Sequence, residues 1–252
     1  MRLALWQTRS PGGNSDMAFA GLEQALAAAA AAGAIMLVAP EAYLPGYNCD
    51  DIAALAQSRN GPWLTRLAGL CRRLGCGVTL GYAEREGDQV YNAAVTFDST
   101  GKEVAHYRKI QLFGPREKAI YAPGDSYTVF DLGGVKAALL ICYDVEFAPH
   151  VAALAAKGVR LILCPTANMM PFTHVVRYTV PAMAVNHALT IVYANYCGVE
   201  GDLSYVGGSL IAGPYGEPLV QAGLGPALLI ADLPDVLDPG LLSTQAADFR
   251  KI

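Results

Sequence analysis

Cys142 is placed for nucleophilic chemistry. It follows the apolar run Val135-Lys136-Ala137-Ala138-Leu139-Leu140-Ile141 and precedes the polar cluster Tyr143, Asp144 and Glu146. The run reads as a buried strand. Pro149 opens a helix through Leu154 to Lys157, and Gly158 stops it. A thiol at a strand-to-helix junction can stand exposed at the end of a sheet. The first amide N–H groups of such a turn are unpaired and stabilise a thiolate or an oxyanion. The competing role for a free cysteine is that of a small core residue.

Two further groups carry matching chemistry. Glu41 follows the apolar segment 34–39 and Pro40. A carboxylate at the mouth of a buried strand is a general-base candidate, because partial burial raises its pKa. Capping a loop backbone group is the alternative. Lys109 is the only charge in Lys109-Ile110-Gln111-Leu112-Phe113-Gly114. Such a lysine is either a charge set in apolar surroundings for chemistry or a surface side chain with a buried stem.

Strands and helices must bring these groups together. Residues 3–7 form an opening strand. Ser15 or Asp16 caps a helix through Phe19, Leu22 and Leu26 into an alanine tract that Gly33 ends. With strand 34–39 this is a β-α-β unit, so its two strands lie parallel. Pro62 opens a helix with Trp63, Leu67, Leu70, Cys71 and Leu74 on one face and Gly75 at its end. Strands 77–82 and 90–97 flank the polar turn 84–89, and strand 103–107 follows the turn Asp98-Ser99-Thr100-Gly101. Residues 159–165 form another buried strand, 173–188 a helix that Pro181 kinks, and 190–196 a strand. Segments 207–212 and 218–221 form a hairpin, and 227–232 is the last strand. The two halves are similar, which suggests two sheets packed face to face with helices outside.

Composition narrows the function. The 252 residues suit one large domain. Hydrophobic residues at 53% and charged residues at 16% supply a large core and argue against disorder. A net charge of -4 with no basic cluster argues against a nucleic-acid partner. Six cysteines show no CxxC pair, and four histidines give no zinc-ligand spacing, so no metal is expected. Cys71 and Cys76 read as core thiols in a reducing compartment. The N-terminal apolar segment is too short for a signal peptide. The uncharged stretch 24–40 falls short of a membrane span of ~20 residues. The expected location is the cytoplasm.

Three segments together resemble the nitrilase superfamily of carbon–nitrogen hydrolases: Pro40-Glu41, Tyr107-Arg108-Lys109 followed by Leu112-Phe113-Gly114, and Ile141-Cys142-Tyr143-Asp144-Val145-Glu146-Phe147. Tyr91-Asn92, Glu117, Pro123-Gly124-Asp125, Pro165-Thr166 and Gly207-Gly208-Ser209 are similar as well. Residues 165–216 look most like the amidase-type branch that includes R-selective amidases, above all at Tyr193-Ala194-Asn195-Tyr196-Cys197-Gly198. The resemblance implies a four-layer α-β-β-α sandwich over residues 1–252 and a catalytic triad of Glu41, Lys109 and Cys142. It further implies a homodimer or higher homo-oligomer and no cofactor. Glu117 would hold the attacking water or Lys109, and the Tyr143 N–H would add an oxyanion donor. Substrate contacts are expected from Tyr47, Asn92, Phe113, Glu146, Asn168 and Met169.

The chain departs from the family pattern in two places. Ala182-Met183-Ala184-Val185-Asn186-His187 stands where relatives often carry Ala-Arg-Ala-x-Glu-Asn. Ala148-Pro149-His150 stands where Pro-Glu often follows the phenylalanine. Both remove charges near the helices and the subunit contact and leave the triad untouched.

The expected substrate is a small neutral carboxamide. The loop from Pro165 to His174 should line the pocket, and no charge occurs before Arg177. Met169, Met170 and Phe172 offer apolar contact, and Asn168 one amide. A carboxylate on the substrate would need an arginine fork. Outside the loop, Asp144, Glu146 and the partner subunit are the other sources of charge. The alternatives are a nitrilase, an N-carbamoyl amide hydrolase, an inactive binding module, or a redox thiol protein with Cys164 as resolving partner.

Overall fold

Two six-stranded sheets stack face to face in the computed structural model, which describes residues 1–234 and 236–250. The first sheet runs in the order Ala227–Asp232, Arg2–Gln7, Met36–Val38, Gly77–Glu86, Gln89–Phe97 and Glu103–Arg108. The second runs Pro218–Gln221, Leu210–Ala212, Thr190–Ala194, Leu161–Pro165, Val135–Leu139 and Val129–Leu132. Three neighbouring strands in each sheet are parallel, and antiparallel strands flank them on both sides. Helices Ser15–Ala31 and Pro62–Leu74 cover the first sheet through Phe19, Leu22, Leu26, Trp63, Leu67 and Leu70. Helix Ala148–Ala156 covers the second through Val151 and Leu154, joined by Val180 and Ala184 of Val180–Asn186. Leu3, Leu5, Met36 and Val38 pack between the sheets against Leu139, Ile141, Leu163 and Tyr193. This is the expected four-layer α-β-β-α sandwich.

The apolar runs form strands because both faces of a central parallel strand are covered. Arg2–Gln7 and Met36–Val38 pair parallel, as the β-α-β reading required. Local chemistry changes several boundaries. Asn14, not Ser15 or Asp16, caps the first helix, its side chain accepting from the Met17 N–H at 2.9 Å. The polar segment 84–89 is mostly strand rather than turn. Its Glu84 is buried because Arg108 and His106 of the neighbouring ladder pair with it. Pro181 does not kink one long helix. A π-helical stretch, Val175–Thr179, precedes Val180–Asn186 and absorbs the irregularity. The strand Val129–Leu132, the short hairpin Cys197–Glu200 with Leu203–Val206, and helix Gly114–Ile120 carried no clear period in the sequence.

The parallel strands end at one edge of the sandwich. Glu41 follows Met36–Val38, Lys109 follows Glu103–Arg108, and Cys142 and Thr166 follow Val135–Leu139 and Leu161–Pro165. Ligands of α/β sheets bind outside such carboxyl ends.

Candidate active site

Cys142 is held in a strained turn. Its φ is +45°, in the left-handed region that a residue with a Cβ enters only at a cost. The residues after it form a short 3₁₀ helix, Cys142–Glu146, before helix Ala148–Ala156 begins with Pro149 in its first turn. Asp144 locks this turn. Its buried carboxylate accepts from the Ile141 N–H at 3.1 Å, the Gln111 N–H at 2.7 Å and the Tyr107 hydroxyl at 2.8 Å. One side chain thereby ties the cysteine turn to the segment that carries Lys109. With its oxygens so engaged, Asp144 supplies no charge to a substrate.

Glu41 and Lys109 are buried together. The Lys109 Nζ donates to Glu41 Oε1 at 2.6 Å and to Glu117 Oε1 at 2.8 Å. Neither Glu41 nor Lys109 is more than 1% exposed. Burial at this level is tolerated only because opposite charges meet and their hydrogen bonds are made. The Lys109 backbone is fixed on both sides, its N–H on Asn92 O at 2.8 Å and its carbonyl under the Gly124 N–H at 2.7 Å. Glu117 is fixed as well. Tyr47 donates its hydroxyl to Oε1 at 2.7 Å, and the Phe113 N–H donates to Oε2 at 2.9 Å.

Asn92 does not line the cavity as expected. It lies behind Glu41 and donates from Nδ2 to Glu41 Oε1 at 2.7 Å. That oxygen therefore takes two donors, while Glu41 Oε2 has no partner and is free for a proton. Gly81 sets the loop that presents Glu41. A Cβ there would sit 2.2 Å from Ala42 N and 2.6 Å from Glu41 Cα, so no larger residue fits. Nothing in the sequence pattern distinguishes Gly81 from other strand glycines.

The charges set the protonation states. Burial, reinforced by Glu117 and opposed by Lys109, pushes the Glu41 carboxyl up to about 7. Burial pulls the Lys109 ammonium down, but Glu117 and Glu41 more than reverse it and hold it well above the ordinary lysine range. Burial and the Glu41 charge push the Cys142 thiol well up. The resting site is thus a neutral thiol beside a carboxylate whose affinity for protons matches neutral pH.

A cavity of about 230 Å³ opens on the sulfur. Its walls are Tyr47, Phe113, Tyr143, Glu146, Ala167, Asn168, Met169, Phe172 and His174 around Cys142. Phe113 packs edge-on against both Tyr143 and Phe172, with centroids 5.3 and 5.6 Å apart. Five of the six expected substrate contacts line it, and Asn92 is the exception. Met170 is 53% exposed and is not part of this wall. The Asn168 Nδ2 is already committed to Phe172 O at 3.1 Å, which braces the loop. Glu146 is the one carboxylate in the wall, and burial raises it to about 7 against the pull of Lys109. A wider open groove of about 1090 Å³ beside Asn48, Asp50 and Arg116 contains none of the reacting groups. Among the described residues, no cluster of side chains is arranged to hold a metal ion, and no helix is long and apolar enough to cross a membrane.

The chain is similar to several known proteins. Residues 2–238 match the family model described as carbon-nitrogen hydrolase. A protein from Pseudomonas protegens, called a hydrolase in the pqqF 5' region, is 41% identical over 79% of this chain and 71% of its own. An (R)-stereoselective amidase from Pseudomonas sp. is 35% identical over 75% of this chain and 69% of its own. The solved structure of an amidase from Nesterenkonia sp. AN1 superposes with a TM-score of 0.92 at 37% identity, covering 99% of this chain and 96% of that one. A glutamate-to-glutamine variant of that amidase shows acrylamide added to its active-site cysteine, and a cysteine-to-alanine variant binds butyramide.

Proposed function

The chain belongs to the carbon–nitrogen hydrolase family, in the amidase-containing nitrilase superfamily, and from that footing we propose that it hydrolyses small neutral primary carboxamides through a thioester on Cys142. The observation that carries this reading is the cavity. Its volume of about 230 Å³ lies below the range of ~300–1,000 Å³ usual for drug-sized ligands. Its walls are mainly aromatic and apolar, and it ends on the one cysteine beside a buried carboxylate and ammonium. The acrylamide and butyramide held by the similar amidase are of a size to fit it.

The steps follow from the groups. Glu41 Oε2 takes the Cys142 proton as the sulfur attacks the amide carbon. Charge passes to the carbonyl oxygen. The Lys109 ammonium and the Tyr143 N–H, which starts a helical turn and so lacks an intrahelical partner, stabilise it. Glu41 returns the proton to the nitrogen, the C–N bond breaks, and ammonia leaves a thioester on Cys142. Water then loses a proton to Glu41 and attacks the thioester carbon, and as the C–S bond breaks Glu41 passes that proton to the sulfur, which gives the carboxylic acid, the thiol and the Glu41 carboxylate. Glu117, bonded to Lys109 and reached by Tyr47, keeps the ammonium aimed while Glu41 changes charge.

Two outcomes test this reading. The first is a pH profile. Glu41 acts as base only when ionised, and its pKa is raised to about 7 from the usual 4.5. The ionised fraction is lost as pH falls through about 7, so kcat/KM is expected to drop tenfold per pH unit below it. An acid limb near 4.5 would show a Glu41 carboxyl that burial does not raise, and an acid limb kept in Glu41→Gln would remove Glu41 from the role of base. The second is a substrate panel of matched amides, nitriles and anionic carbamoyl compounds, scored for ammonia and carbon dioxide. Neutral aliphatic amides should give ammonia without carbon dioxide. The cavity has no Arg or Lys in its wall to pair with an anion. Faster turnover of anionic carbamoyl compounds, with carbon dioxide released, would overturn the substrate assignment and leave the triad standing.

A further inference from the structure

Thr166 places a buried hydroxyl beside the nucleophile, and the steps above give it no task. It follows the Leu161–Pro165 strand and is fully buried. Its backbone is fixed in two directions. The Thr166 N–H donates to Ala194 O at 2.8 Å, and its carbonyl accepts from the Glu41 N–H at 3.3 Å. The same peptide link that sets Glu41 therefore sets this side chain. The Leu161–Pro165 strand pairs with Val135–Leu139 on one side and with Thr190–Ala194 on the other, so Thr166 follows it between the Cys142 turn and the strand of Tyr193, and its hydroxyl favours the charged forms of both groups. It forms a hydrogen bond with neither in the resting state. The Thr166 and Tyr193 hydroxyls are both buried without a partner.

Buried hydroxyls are rarely left in this condition, and each case calls for a reason. The resting sulfur gives one. A thiol is a weak acceptor, whereas a thiolate is a full negative charge that draws charge-assisted hydrogen bonds. We infer that Thr166 donates its hydroxyl hydrogen to the Cys142 sulfur as the thiol proton leaves for Glu41, and that Tyr193 donates in turn to Thr166 Oγ1. No proton is transferred along this chain. The thiol proton goes to Glu41 Oε2, and the two hydroxyls only reorient. Ala167, next in sequence, lines the cavity beside Cys142, and its backbone N–H favours the thiolate as well. Once sulfur bonds to the carbonyl carbon, its charge is gone and the donors relax. Stabilisation is thus confined to the nucleophilic state, where it lowers the cost of forming the thiolate.

This rests on Cys142 being the nucleophile, so the test reads the sulfur separately from the substrate. The rate of Cys142 alkylation by iodoacetamide is followed against pH, with peptide mapping, in the full-length chain and in Thr166→Val and Thr166→Ser. Valine keeps the shape and removes the hydroxyl, and serine restores it. In Thr166→Val the alkylation profile should move up by about one pH unit, and kcat on a small amide should fall about tenfold with KM little changed. Thr166→Ser should return both to within about threefold of the parent. Thr166→Ala serves if the valine variant does not fold. Parent-like profiles and kcat in a folded variant lacking the hydroxyl would overturn the inference while leaving the nucleophile in place. No alkylation of Cys142 in the parent chain would overturn the nucleophile and this inference together.

Discussion

Cys142→Ala is expected to leave a folded protein that releases no ammonia from any amide the parent hydrolyses. The fold should hold for two reasons. Alanine, like cysteine, carries a Cβ, so the strain at φ +45° is unchanged rather than added. Removing one sulfur from a site that opens on a cavity leaves little new void, and the cost is on the order of 1 kcal/mol. The turn itself is tied by the three hydrogen bonds of Asp144, none of which touches the sulfur. Catalysis has no comparable reserve. No other thiol reaches the cavity: Cys71, Cys76, Cys164 and Cys197 are buried, and Cys49 lies in the separate groove. Cys142→Ser should keep only a trace of activity. A serine hydroxyl is much harder to deprotonate than a thiol, and Glu41, at about 7, is a weaker base than serine would need. Thermal unfolding checks the fold, and ammonia release checks turnover. Iodoacetamide should inactivate the parent in step with labelling of Cys142. Full inactivation with Cys142 unlabelled and Cys49 labelled would place the chemistry elsewhere.

The three groups proposed to react stand where a readable element stops, but each kept a competing role until their common order was set beside a known family. An apolar strand ending in Glu41, another ending in Cys142 and a lone charge at Lys109 are local signals, and their order matched a known family. The paired halves and the parallel strand pair were legible directly, since buried parallel strands are continuous apolar runs. What escaped depends on contacts between distant segments. Asn92 belongs behind Glu41 rather than at the substrate because strand Gln89–Phe97 runs beneath the base, and only the pairing of strands shows that. Gly81 and Asp144 act across gaps in sequence, the one by making room for the Glu41 backbone and the other by joining Tyr107 and Gln111 to the cysteine turn. Met170 and Met169 are adjacent and chemically identical, yet only Met169 reaches the cavity. A loop without periodicity gives no way to choose between neighbours. The π-helical stretch Val175–Thr179 was hidden likewise, since Pro181 signals a break without saying what form it takes.

Lys109→Met should be nearly as damaging as loss of the nucleophile, because the ammonium performs two tasks at once. The first is at the oxyanion. Removing one donor of that kind costs roughly 10²–10³ in kcat. The second concerns the base. Lys109 is the cation shared by Glu41 and Glu117, at 2.6 and 2.8 Å, and both carboxylates are buried. Methionine matches the length of the stem and carries no charge. Two carboxylates left alone in a buried site cannot both ionise, so one proton is taken up and Glu41 is driven above its present value of about 7. A larger share of the enzyme then holds a protonated Glu41 at neutral pH and cannot accept the thiol proton. The two losses multiply, and kcat should fall by at least roughly 10³. The acid limb of the pH profile should move to higher pH in the same variant. KM should change less, since the charge that the ammonium meets develops on the carbonyl oxygen only in the transition state. Lys109→Arg should not rescue the rate, because a planar guanidinium cannot replace a compact ammonium in a fully packed pocket. Breaking a buried charge set by removing one partner is also destabilising, by about 3–5 kcal/mol, so thermal unfolding is measured alongside the kinetics. Raising KM with kcat unchanged would show that Lys109 holds the substrate and not the transition state. An unshifted acid limb would show that the Glu41 proton affinity is set without the ammonium, and the double role would then fail on its second half.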